Sequence, residues 1–201
     1  MTIGNLPDDV YEESGCRLPL AKREDIDGEA LDIFDHHHDP KSWSLAGMRG
    51  PGGIKLHSPR LSERSQAIGR YLRREAGFPE AVRELAILVT AREMDSRFEW
   101  AAHEPEALRV GLAPETIDVV KRDKPTDGLA ATEAVIIDFG RQLFRQRRVD
   151  QALFARALDI FGRGRLVDLV ALMGTYAGTA LLLAAFDVQL TEDEEALLPI
   201  P

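Results

Sequence analysis

From about residue 61 onward, apolar positions recur at intervals of three and four, the period of an amphipathic helix, and no stretch sustains an alternation of period two. The pattern predicts an all-α fold. Ser62 is placed to cap a helix running to about Glu75, with Gly77 and Pro79 as punctuation. Pro79 suits the first turn of the next helix, PEAVRELAILVTARE, whose stretch from Leu85 to Ala91 is apolar nearly all round and predicts a buried helix. A third helix is predicted from near Ser96 to near Gly111. Pro105 within it lacks a backbone donor and predicts a kink or break. Pro114 opens a short helix to about Lys121, KPTDG reads as a loop, and residues 129–146 form a helix with Ile136, Phe139 and Leu143 on one face. Asp150 can cap the following helix, which Gly162 and Gly164 end.

The closing helix needs separate treatment. LVALMGTYAGTALLLAAF, from Leu169 to Phe186, carries no charge over 18 residues, the lower limit of a membrane span. Asp168 and Asp187 flank it, no second span exists, and Gly, Thr and Ala fill much of its middle, so a buried helix is the expectation and a membrane span is not. Gly174 and Gly178 let another helix approach closely, in the core or at a subunit interface.

The first 60 residues differ in character. They hold many of the prolines and glycines, a histidine run and the turn signal Gly50-Pro51-Gly52-Gly53. Three regions follow: an irregular extension over 1–60 with short helices, a helical domain over 61–190, and an acidic, peripheral tail over 191–201.

Composition narrows the function. Across 201 residues the net charge is -9, which disfavours binding to phosphate backbones and hence to nucleic acid. The amino terminus has neither the basic nor the apolar region of a secretory signal. With a single cysteine, Cys16, the chain can make no internal disulfide, CxxC redox pair or cysteine-based zinc site, and a reducing cytoplasm is the expected location.

Two helices hold the residues that can do chemistry. Glu84 shares a face with Ile87, Leu88 and Ala91, so it is a carboxylate on an apolar stripe. Burial there raises its pKa unless a cation or donor faces it, which makes it a candidate general acid/base. The plainer alternative is a surface glutamate suited to the helix dipole. In SRFEWAAHEPEAL, Ser96, Glu99 and His103 line one face, and Glu99 lies one turn before His103, where it can orient the imidazole. An ion pair on an exposed helix face explains that spacing equally well.

The segment RELAIL, then a gap, then EWAAH and a helix ending in Gly111-Leu112, resembles the carboxymuconolactone decarboxylase and alkylhydroperoxidase D-like family. The likeness runs over residues 80–112. ALMGTYAGTALLLAAFDVQL resembles the family's closing helix, and His57-Ser58-Pro59 the start of the helical part in longer members. In the redox branch a glutamate lies upstream of C-x-x-C-x-x-x-H. Here Glu84 takes the glutamate position, and Ser96 and Glu99 stand where the cysteines would be. Without a thiolate and a resolving thiol the dithiol peroxidase route is absent. The resemblance therefore points to the cysteine-free decarboxylase branch: a helical bundle assembling as a trimer or hexamer and acting without a cofactor on a small organic acid or lactone. It implies catalytic roles for Glu84 and His103, with Glu99 orienting the imidazole. Ser96, Trp100 and His57 are the expected substrate contacts. A non-catalytic oligomeric ligand-binding protein is the alternative, and peroxidase activity survives as a family label.

Other residues imply less. Asp35-His36-His37-His38-Asp39 is read as a solvated loop, since adjacent histidines are poorly spaced as metal ligands. Glu84, Glu99 and His103 together suit zinc or iron in kind, although no metal is expected. Gly50–Gly53 lacks the Lys-Ser/Thr of a phosphate loop and reads as a turn. Arg141, Arg145, Arg147 and Arg148 read as a solvated helix end.

Overall fold

The computed structural model describes residues 6–28, 30–39, 45–190 and 198. They are all-α: eight α-helices, short 3-10 turns and one π-helical turn, with no strand among the described residues. They divide into two compact units, residues 6–71 with 181–190, and residues 72–180 with Leu198. The division falls at Leu72 rather than at residue 61, and the end of the last helix belongs with the N-terminal unit.

The first unit contains α1 (Ala30–His38), α2 (Pro51–Leu56) and α3 (Pro59–Arg70). Ile26, Ala30, Ile33, Phe34 and Leu56 form its core. α3 begins at Pro59, earlier than Ser62 suggests, because proline suits a first turn; Ser62 is buried inside it. Gly50–Gly53 is not a free turn. Pro51 opens α2, and a Cβ on Gly53 would lie 1.9 Å from the Met48 carbonyl oxygen, so only glycine fits there. The histidine run is not a loop either. It forms the last turns of α1, with Asp35 paired to Arg23 and His38 bonded to the Phe34 carbonyl. After the last helix the chain pairs with the N-terminal segment, through Arg17 N–H to Phe186 O and Gln189 N–H to Gly15 O.

The second unit is built around α4 (Glu80–Glu93), whose residues from Arg83 to Ala91 are all buried. α5 (Arg97–Arg109), α6 (Pro114–Lys121) and α7 (Ala131–Gln146) pack on it. α5 runs through Pro105 without the expected break. Trp100, His103, Glu104 and Ala107 are buried on both sides of the proline, and that packing offsets the missing hydrogen bond. The α4–α7 contact is closest at Gly140, where a Cβ would meet Val89 Cγ1 at 2.4 Å. Val89 is 1% exposed and has nowhere to go. Gly140→Ala is therefore expected to destabilise this unit by about 1–3 kcal/mol through overpacking. An unchanged urea midpoint would show the contact to be slack.

α8 (Gln151–Ala185) is capped as expected, the Leu153 amide donating to Asp150, and it breaks at Gly162, where φ is 70°. The expectation of a buried closing helix holds only in part. Leu169, Leu172 and Met173 are buried, but Val167 and Val170 are exposed, and one third of its most apolar window is covered. By length and composition alone this helix is long and apolar enough to cross a membrane. Of the tail, residues 191–197 and 199–201 lie outside the described residues. Leu198 is not peripheral but belongs to this unit's core. Arg145 bridges Glu93 and Asp123 while remaining exposed to solvent, and the half-buried Arg141 donates to the Lys124 and Val119 carbonyls, so these two arginines also tie neighbouring segments together.

Candidate functional site: a buried carboxylate–imidazole pair

Glu84 sits on the second turn of α4 and is fully buried. Both its oxygens are engaged. Oε2 accepts from His103 Nδ1 on α5 at 2.7 Å, and Oε1 accepts from Arg83 Nε at 3.0 Å. Burial pushes the Glu84 carboxyl up, but the hydrogen bonds and charges of His103 and Arg83 together outweigh it and hold the group below the usual glutamate range. Glu84 is thus an ionised acceptor at neutral pH. The shared hydrogen must lie on His103 Nδ1, which fixes the tautomer of the neutral ring and leaves Nε2 as its lone-pair nitrogen.

Arg83 is held as firmly as the glutamate it serves. It is 7% exposed, its Nη1 donates to the Arg73 carbonyl at 2.9 Å, and its Nη2 lies 3.8 Å from Glu80. Arg73 belongs to the π-helical turn Tyr71–Glu75. On the other side of His103, the Tyr176 ring from α8 meets the imidazole edge-on, with centroids 5.3 Å apart and planes at 83°.

The expected site residues separate into two groups. Glu84 and His103, 19 positions apart in sequence, are joined directly. Glu99 is buried near them, but the carboxylate that orients His103 is Glu84 and not Glu99. Sequence spacing favours the partner one turn away on the same helix, whereas packing of α5 on α4 supplies a better one. Ser96 is buried at the start of α5, where its backbone carbonyl accepts from the Trp100 amide. No hydrogen bond joins its hydroxyl to the pair among the described residues.

Trp100 does not wall a pocket. It is fully buried, and its Nε1 donates to Glu104, which also takes Lys121 at 2.6 Å. His57 belongs to the other unit, where it closes α2 and its Nε2 lies 2.9 Å from the Pro19 carbonyl oxygen. Among the described residues no group of three His, Cys, Asp or Glu side chains is placed to hold a metal ion, so the three-ligand arrangement of Glu84, Glu99 and His103 is not formed.

Two members of the cluster escaped sequence reasoning. Arg83 adjoins Glu84, and neighbours in sequence do not face each other on a helix; only the length of the side chain lets it fold back. Tyr176 lies in an apolar helix, where an aromatic ring reads as packing.

No protein-family model matches the chain. No curated protein matches it either.

Proposed function

We propose that this protein is a cofactor-free acid/base lyase of the carboxymuconolactone decarboxylase type, an alkylhydroperoxidase D-like bundle acting on a small organic acid or lactone. One observation carries the reading: the 2.7 Å bond between the buried Glu84 carboxylate and His103 Nδ1, which leaves Nε2 for a substrate. Such a pair gives a neutral imidazole as base or an imidazolium as acid, and moves between them by taking up one proton at Nε2. Ser96 and Glu99 in place of thiols support acid/base over dithiol chemistry. The resemblance also supports assembly as a trimer or hexamer. The exposed side of α8, where Val167 is 68% exposed, is the surface that assembly would cover.

The test is turnover on a panel of γ-carboxy lactones and β-keto acids, followed as CO2 release. His103→Ala and Glu84→Gln are each expected to lower the rate on an active substrate by about 10²–10⁴-fold. Undiminished turnover in both variants overturns the reading. Binding by the wild type without turnover would make the protein a ligand-binding member instead.

A further inference from the structure

The acid/base pair leaves one neighbour unused. Tyr176 packs against the core of the second unit and presents its ring edge-on to His103 at 5.3 Å. Around the pair, polar groups are held: both Glu84 oxygens, His103 Nδ1 and two nitrogens of Arg83 have partners. The Tyr176 hydroxyl and His103 Nε2 do not, among the described residues. These two polar groups lie on rings in contact with each other and can meet one ligand atom together.

We propose that Tyr176 binds the oxyanion in this site, donating its hydroxyl hydrogen to the substrate oxygen on which negative charge gathers, beside His103 Nε2. The proposal rests on the acid/base reading and adds the substrate's chemistry to it. The reacting carboxylate must stand one conjugated step from a carbonyl, so that the electrons released reach an oxygen. When the bond to the carboxylate breaks, CO2 leaves and its electron pair moves through the conjugated system onto that oxygen. Tyr176 hydrogen-bonds the enolate and keeps its own proton. Protonated His103 then gives its Nε2 proton to carbon, the carbonyl re-forms, and neutral His103 recovers a proton from water. A tyrosine that keeps its proton suits the role. Burial, opposed by Arg73 and reinforced by the charges of Glu84 and Glu99, pushes the Tyr176 phenol up to about 12. A preorganised donor of this kind is worth most where charge develops in the reaction.

The experiment is binding of 4-nitrophenol at pH 7, whose absorption distinguishes the phenolate from the phenol. The wild type is expected to bind the phenolate. Tyr176→Phe is expected to weaken that binding by about tenfold to a hundredfold, the loss of one hydrogen bond to a charged acceptor. Its melting temperature should not fall, because the hydroxyl has no protein partner to lose. Equal binding by the phenylalanine variant overturns the proposal, as does a wild type that binds no phenolate. If Tyr176→Phe fails to fold, 3-fluorotyrosine at position 176 replaces it. A more acidic phenol should tighten the phenolate complex, and unchanged affinity counts against the proposal. No proton transfer to carbon is involved in this measurement. Failure of the acid/base reading would show in the turnover of the His103 and Glu84 variants, separately from the phenolate result.

Discussion

Glu84→Leu is expected to destabilise the unit formed by residues 72–180 by about 3–5 kcal/mol, the penalty for removing one partner of a buried ion pair. Leucine fits the apolar surroundings of α4, so lost packing is a small part of the effect. The damage comes from what is left behind. Arg83 stays buried with its Nε facing no acceptor, and His103 Nδ1 loses the oxygen 2.7 Å away. Glu84→Gln keeps the shape and offers one acceptor, but its amide N–H₂ then opposes the second donor, so an intermediate loss is expected. Arg83→Met combined with Glu84→Leu removes both charges and should recover part of the stability, because a well-packed apolar pair can replace a buried ionic one.

The pH dependence has a definite sign. Glu84 has a folded pKa below its ordinary value of 4.5, so its contribution is present above that value and is lost as the pH falls through the lower folded one. Urea unfolding followed by the fluorescence of Trp100, fully buried in this unit, measures all three variants. A leucine variant as stable as the wild type would mean that the pair is not buried as described.

Much of this unit is legible in the chain. α6 begins at Pro114 and ends at Lys121 as its proline and periodicity predict, and the run from Leu85 to Ala91 is buried as its apolar character requires. These features depend on local chemistry: a ring that pre-sets φ, and a helix with no polar face. What could not be read depends on pairing between distant segments. Helical periodicity places Glu99 and His103 on one face, but it cannot show that α4 delivers Glu84 to the same imidazole. The N-terminal region misled for another reason. Its glycines look like turn residues, yet Gly53 serves the close approach of α2 to the Met48 backbone, and the histidines continue a helix whose N-terminal half is apolar.

That same helix gives the second large effect: the unit formed by residues 6–71 and 181–190 should lose stability as the pH falls from about 6.5 to about 4, through His37. The imidazole lies over α2, where a Cβ on Gly52 would come within 2.4 Å of its Cε1 and Nε2, and its Nδ1 is buried without a hydrogen-bond partner among the described residues. Burial, then the charges of His36 and His38 on its own helix and of Lys55 on α2, lower its pKa from 6.5 to about 4. An unfolded chain takes up a proton at 6.5, whereas the folded unit resists until about 4. Stability from this residue is therefore complete above pH 6.5 and declines as the pH falls toward the folded value, by at most about 3 kcal/mol and by less once solvent screening at this part-exposed site is counted. Asp35 also has a lowered pKa, held down by Arg23, but its ordinary value is 3.8, so it acts below this window. Hydrogen exchange at Ile33, Phe34, Ile54 and Leu56 should accelerate between pH 6.5 and 4 after correction for intrinsic rates, while α4 stays protected. His37→Leu should abolish that acceleration at no loss of stability at pH 7, since it removes a buried nitrogen that bonds nothing. Acceleration that persists in the leucine variant would place the acid-sensitive contact elsewhere in the unit.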